Sequence, residues 1–305
     1  MRAPEDLCDG VPHSGTEAAL PMSFSKIAIL GPGLLGGSIA LALRRRFPGT
    51  CVAVWARRPE AAEQVRAMGA ADIATADLAP VVGNAELVVL CVPVGTMPAL
   101  AEKIAPLLSQ RAIVTDVGSV KAPVAATLGG IFKGRARFVG SHPMAGSERT
   151  GIEAARADLF ENAVCIVTPE SDTAPDTVAE LSAFWEQLGC TVRALPPAEH
   201  DEVIALVSHL PHLLAATLVN FVCARNADSL NFCGNGFRDT TRVASGPPEM
   251  WAEILQSNRE PLKKSIRAMI ENLNEVLTLL HNADETPMRQ FLARAKTARD
   301  RLKKK

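Results

Sequence analysis

Three groups of residues in this chain have types and spacings that could do chemistry. The first is a glycine turn, KIAILGPGLLGGS, in which Gly31, Gly33 and Gly36 keep G-x-G-x-x-G spacing. The second is one imidazole, His142, set among glycine, serine and proline in VGSHPMAGSERTG (139–151) at the end of an apolar run. The third is a histidine pair, His209 and His212, in SHLPHLLA. Three residues apart on a helix, they face the same side. Imidazole titrates near neutral pH, so it can take up a proton and give it back under physiological conditions. By residue type alone His142 has a competing reading as a turn histidine without a chemical task. The His209–His212 spacing would also suit a metal ion, but no further ligands stand at supporting spacings, so no metal is expected.

The glycine turn is specific because of its context. It follows a short apolar strand and opens a helix, and a second strand ends about 25 residues on. Gly31 would permit the tight turn, Gly33 the approach of backbone to a pyrophosphate, and Gly36 close packing of helix on strand. The helix N-terminus would then meet the phosphate charge. Leu34, opening that helix, and Pro93, closing the strand AELVVLCVP, are the further expected cofactor contacts. Folds that prefer NAD usually carry an acid at the end of the second strand, to bond the ribose 2′-hydroxyl. Here Ala56 stands in that place and Arg57 and Arg58 follow. Two guanidinium groups can pair with a 2′-phosphate. The competing reading is two solvated arginines opening a helix. The expected cofactor is NADP, with NAD as the alternative.

These groups need a scaffold, and the chain supplies an alternating one. KIAIL, CVAVWA, AELVVLCVP, AIVTDVG, RFVGSH, AVCIVTP and CTVRALP read as apolar strands separated by helices such as PEAAEQVRAMG and APDTVAELSAFWEQLG. That pattern implies a parallel sheet covered on both faces. After Pro196 the strand signals stop. EVIALVSHLPHLLAATLVNFVCARN reads as one helix, a Gly/Pro-rich break follows, and long helices run to a basic tail. The expectation is α/β: a Rossmann-type dinucleotide-binding domain over 25–195, then an all-α substrate-binding and dimerisation domain over 196–305. Residues 1–24 read as a flexible extension, with Met22 as a candidate start.

The totals exclude several classes. A chain of 305 residues with 48% hydrophobic and 21% charged residues is ordinary for a soluble protein with two cores. A formal net charge of −1 gives no reason to expect nucleic acid or an anionic membrane as partner. Seven cysteines lack framework spacing, which reads as free thiols in a reducing compartment. The opening residues lack a basic start leading into an apolar core, so no secretory signal is expected. IAILGPGLLGGSIALAL is a long uncharged run, but its Gly-Pro-Gly break marks strand, turn and helix rather than a membrane span. A cytoplasmic location is expected.

TDVGSVK (115–121), GSHPMAGSE (140–148), HD (200–201), SHLPHLLA (208–215) and GFRDTTRVASGPPEMW (236–251) occur in this order. Together they closely resemble prephenate dehydrogenase and its arogenate-using relatives, the dehydrogenases of tyrosine biosynthesis. The resemblance implies oxidative decarboxylation of prephenate to 4-hydroxyphenylpyruvate, or of arogenate to tyrosine, with hydride passed to NAD(P). It makes His142 the base for the substrate hydroxyl, with Ser119 orienting it; a helix N-cap is the competing reading of that serine. It gives Arg242 a substrate carboxylate to grip, with Arg238 as the nearby competitor. It puts His212 at the substrate and Glu148 and Trp251 near its mouth. His209 is expected to pack, and His200 and Asp201 to cap and anchor the first helix of the second domain. A homodimer joined through the C-terminal helices is implied as well. The rivals are a β-hydroxyacid or imine reductase on a similar plan, and a non-catalytic NADP sensor.

Overall fold

The structure, a computed structural model, describes residues 22–146, 149, 151–281 and 284–302. Six short strands form the first sheet: β1 (Lys26–Leu30), β2 (Cys51–Trp55), β3 (Ile73–Thr75), β4 (Leu87–Leu90), β5 (Ile113–Asp116) and β6 (Arg137–Phe138). All pairs are parallel, and the order is β3-β2-β1-β4-β5-β6. The order reverses between β1 and β4, the place where open α/β sheets take ligands at their carboxyl ends. Every residue of β4 is buried, as the unbroken apolar run LVVL requires of a strand covered on both faces.

The covering helices are α1 (Leu34–Arg46), α2 (Pro59–Ala67), α3 (Leu78–Val82), α4 (Met97–Ile104) and α5 (Ala122–Phe132). They create two apolar layers. Ile29, Leu43, Val54 and Val89 belong to one, and Leu30, Val88, Leu100 and Phe132 to the other. Alternate residues of one strand point to opposite layers, as strand geometry demands.

RFVGSH reads in sequence as one strand, but the chain turns at Val139. β6 stays in the first sheet, and β7 (Gly140–Pro143) begins a second one with β8 (Val164–Thr168) and β9 (Thr191–Ala194). This sheet is mixed rather than parallel: β7 runs antiparallel to β8, and β8 parallel to β9. Gly140 explains how the turn is possible. A Cβ there would lie 2.6 Å from Thr168 Oγ1 and 3.3 Å from both Asp116 Oδ1 and Lys121 Cδ. Only glycine lets β7 pass so close to β5. Helix α6 (Pro175–Gln187) packs Leu181, Phe184 and Trp185 into the first layer.

Beyond β9 the described chain is helical: α7 (Pro197–Ile204), α8 (Leu210–Arg225), α9 (Asn235–Thr241), α10 (Pro248–Ser257), α11 (Arg259–His281) and α12 (Thr286–Arg301). The expected two-part architecture is therefore present. The single helix expected through SHLPHLLA is interrupted, because Ala205–His209 winds as a π-helix between α7 and α8. Pro211 supplies a physical reason. Its ring would crowd the carbonyl four residues earlier, and it has no N–H to donate, so a wider turn ahead of it is favoured. The widened turn also carries His209 to a fully buried position.

Candidate active site

The glycine turn sits at the carboxyl end of β1, beside the point where strand order reverses. Gly31 has φ +111°, and a Cβ on it would stand 2.6 Å from the Cys91 carbonyl oxygen. A Cβ on Gly36 would stand 2.1 Å from the Gly31 carbonyl oxygen, so the third glycine seats α1 on the turn. Gly33 differs: a Cβ there would meet no protein atom within 4 Å. It precedes α1 and borders a cleft of about 680 Å³ lined also by Gly31, Arg57, Arg58, Pro93 and Thr96. A ligand reaching that cleft would meet bare backbone at Gly33 and the start of α1, which suits a phosphate. Arg57 and Arg58 are exposed on its border, just past buried Ala56. Leu34 packs against the apolar core. The residues present thus fit a dinucleotide.

His142 lies within β7, opposite Ile166 of β8, and is 7% exposed. Its Nδ1 is 2.9 Å from Nε2 of His200, on α7. The other ring nitrogen of His200, Nδ1, is 2.8 Å from Oδ1 of Asp201. Asp201 in turn accepts the backbone N–H of Lys121 at 2.7 Å and that of Ala122 at 2.9 Å. Its carboxylate therefore caps α5, a helix of the first domain, and not the first helix of the second domain as the sequence suggested. A carboxylate at a helix N-terminus satisfies open amides and meets the positive end of the dipole. Ser119 is half-buried in the turn between β5 and α5, and the helix begins three residues after it. The capping task that competed for Ser119 is done by Asp201.

Behind His142 runs a second buried network. Lys121 Nζ donates to Asp116 Oδ2 and, at 2.8 Å, to the Ser141 carbonyl. Ser141 Oγ donates to the Asp116 carbonyl at 2.7 Å and lies 2.9 Å from Thr115 Oγ1. These bonds tie β5 to β7 and fix the strand that carries His142. They also place an ammonium group near it. Burial pushes the His142 pKa well below the ordinary histidine value, and the neighbouring His200, Lys121 and His209 push the same way. Burial likewise lowers His200, against the upward pull of Asp201. At neutral pH His142 is an uncharged imidazole able to accept a proton.

The helical domain contributes the facing wall. His212, on α8, stacks on Trp251 of α10 with ring centroids 3.5 Å apart and planes 10° apart. Gly246 makes room for that stack, since a Cβ there would lie 2.4 Å from the indole Nε1. His209 meets the same indole edge-on at 6.3 Å. Asn258 Nδ2 lies 3.0 Å from His209 Nδ1 and donates to the Asp201 carbonyl at 2.9 Å, which leaves His209 Nε2 a buried N–H with no partner among the described residues. Burial lowers the His209 pKa to about 4. Arg242 is exposed at the start of the turn after α9, and that turn lies against His212 through Val243. Glu148 lies outside the described residues.

The structure thus gathers His142, His209, His212 and Trp251, with Arg242 in the segment beside them. Sequence reasoning gave two participants, His200 and Asp201, an anchoring task alone and missed a third, Asn258. His200 and Asp201 were visible only as a dipeptide at the start of a helix, and nothing local says that they face β7. Asn258 carries no sequence signal.

Two family models match the chain: the prephenate dehydrogenase nucleotide-binding domain over residues 39–194 and the prephenate dehydrogenase dimerization domain over residues 196–294. A cyclohexadienyl dehydrogenase of Zymomonas mobilis is 34% identical over 284 residues, covering 92% of this chain and 97% of that protein. Among solved structures, prephenate dehydrogenase from A. aeolicus in complex with hydroxyphenyl propionate and NAD+ superposes with a TM-score of 0.86 at 32% identity, covering 92% of this chain and 99% of that one. Synechocystis arogenate dehydrogenase superposes with a TM-score of 0.81 at 33% identity, covering 91% and 99%. With both domains matched in order over most of the chain, this protein belongs to the prephenate dehydrogenase family.

Proposed function

We propose that this chain catalyses the oxidative decarboxylation of prephenate to 4-hydroxyphenylpyruvate. The observation that carries the reading is His142: buried, uncharged at neutral pH, and held from behind through Nδ1. Prephenate is a cyclohexadienol with a ring carboxylate and a pyruvyl side chain. A bound nicotinamide dinucleotide supplies a hydride acceptor. His142 draws the proton from the carbinol oxygen as the hydride departs, which makes the departure easier. Arg242 pairs with a substrate carboxylate. The stacked His212–Trp251 pair offers a rigid wall for the ring. Ser119 stands in the turn that faces the strand ends and assists His142.

Arogenate is the second reading, because a structural relative of comparable identity bears that activity in its name. The two substrates differ by an amino group in place of a keto group. Arg57 and Arg58 favour NADP over NAD, since two guanidinium groups and no carboxylate follow β2.

The active form is a homodimer joined through the helical domains. Ile270, Leu273, Leu277 and Leu280 repeat at 3-4-3 spacing on α11, and each is more than half exposed. That stripe matches the seam of a packed helix pair. The six described cysteines are free thiols, which suits the cytoplasm. Purified protein tested with prephenate or arogenate and each cofactor should produce reduced dinucleotide together with carbon dioxide. Absence of turnover with both substrates would overturn the reading.

A further inference from the structure

We infer that His200 and Asp201 are positioning residues that fix the tautomer of His142 and take over its proton during the reaction, forming a relay Asp201–His200–His142. The inference rests on the reading of His142 as the base. Hydrogen-bond roles follow from one end of the chain. The Asp201 carboxylate already accepts two backbone amides, and it can only accept. His200 Nδ1, 2.8 Å away, must then carry a hydrogen and donate it. A neutral His200 so arranged has a bare Nε2. That atom lies 2.9 Å from His142 Nδ1, so His142 Nδ1 is the donor and His142 Nε2 keeps its lone pair. The base is thereby aimed: the nitrogen left for the substrate is the one that can accept.

The same chain gives the proton somewhere to go. The carbinol O–H bond breaks, its proton joins His142 Nε2, and its electron pair forms the carbonyl as the C–H pair leaves as hydride. His142 Nδ1 then passes its own proton to His200 Nε2, so the positive charge rests beside the Asp201 carboxylate. Next the bond to the ring carboxylate breaks and carbon dioxide departs. Its electron pair makes the ring aromatic, and the phenolic oxygen takes the proton back from His142 Nε2. His200 returns its proton to Nδ1 of His142. No net proton is gained or lost.

Electrostatics around the pair favour this division. Lys121, from the start of α5, and His209, from the π turn, both disfavour a charged His142. Burial disfavours a charged His200 as well, but Asp201 and Asp116 both favour it, with Lys121 opposing. Cys165, on β8, is held in its thiol form by burial and adds no charge. A cation is thus better placed on His200 than on His142. His200 was assigned by sequence to anchoring alone, yet it is fully buried and its ring nitrogens bond only other ionisable groups.

The test compares full-length wild type, His142→Asn and His200→Gln, with the cofactor and whichever substrate turns over, across pH. Glutamine keeps an acceptor for His142 Nδ1 but cannot become a cation. His200→Gln should lower kcat at least about tenfold with KM within about threefold. It should also move the acid limb of the kcat profile to lower pH, because protonation then falls on buried His142 alone. An unshifted limb would overturn the inference while sparing His142. Wild-type kcat in His142→Asn would overturn the reading of the base itself, so the two failures are distinguishable. Should His200→Gln fail to fold, ¹⁵N-histidine NMR of the wild-type protein decides instead. A hydrogen on His142 Nδ1 and none on Nε2 supports the relay, and the opposite tautomer overturns it.

Discussion

His142 Nδ1 and His200 Nε2 stand 2.9 Å apart, although one residue lies on a strand of the second sheet and the other on the first helix of the helical domain. The orientation of His142 is therefore a product of domain packing. A histidine on β7 alone would be free to rotate and to choose either tautomer. Gripped from the helical side, it has one orientation and one open nitrogen.

Two substitutions separate chemistry from binding. His142→Asn should lower kcat by roughly two to four orders of magnitude with little change in KM, since only transition-state proton transfer is lost. Arg242→Gln should chiefly raise KM, by about tenfold or more, because a charge-assisted bond to a carboxylate is worth about 1.5–3 kcal/mol. Steady-state kinetics check both. Reversed phenotypes would reverse the roles assigned.

Cofactor choice should follow the arginines after β2. Replacing Arg57 and Arg58 together by alanine should lower kcat/KM for NADP by about 10- to 100-fold, with NAD changed far less. Parallel assays with the two dinucleotides measure this directly. Equal losses for both would show that the arginines serve the fold or the pyrophosphate rather than the 2′-phosphate.

Acid should loosen the fold before it titrates most carboxylates. Burial lowers the pKa of His142, His200, His209 and His212 below the ordinary histidine value, with His209 down to about 4. Between the folded and unfolded values the unfolded chain binds more protons, so stability rises with pH in that window. It is fully present above about pH 6.5 and lost as pH falls toward 4. Thermal melting in matched ionic strength should show Tm falling by several degrees, on the order of 5 °C, between pH 7 and pH 5. A flat Tm over that interval would contradict the buried neutral state.

The apolar stripe on α11 predicts an assembly phenotype. Leu273→Glu combined with Leu277→Glu should shift the mass seen by light scattering from two chains to one. Both side chains are more than half exposed in the single chain, so its own core should be little disturbed. An unchanged mass would place the dimer contact elsewhere.

Much of this architecture was readable from residue order. The glycine turn announced β1 and α1 because its close approaches, at Gly31 and Gly36, tolerate no side chain. The apolar runs announced five of the six parallel strands, and the three-residue β3 was too short to stand out. The turn at Val139 was hidden, because an apolar run does not reveal that its two ends join different sheets. Its one signal is Gly140, whose meaning depends on Thr168 and Lys121 passing nearby. The π turn was hidden likewise, although Pro211 inside SHLPHLLA was a hint. In the site, His142 and His212 were named from their motifs, and the structure buries both. The cap on α5 was misread, since it comes from eighty residues away. Long-range polar partners leave no local periodicity.

The carboxylate of Asp201 has a consequence for traffic through the molecule. It joins three polar groups of both domains at one buried point. Swinging the helical half off the sheet would pull that carboxylate from the two amides at the start of α5 and exchange charge-assisted bonds for bonds to water. That wall behaves as a weld. A path for small molecules that opened there would break those bonds; the stretch between α8 and α10, largely solvent-facing, carries none of them.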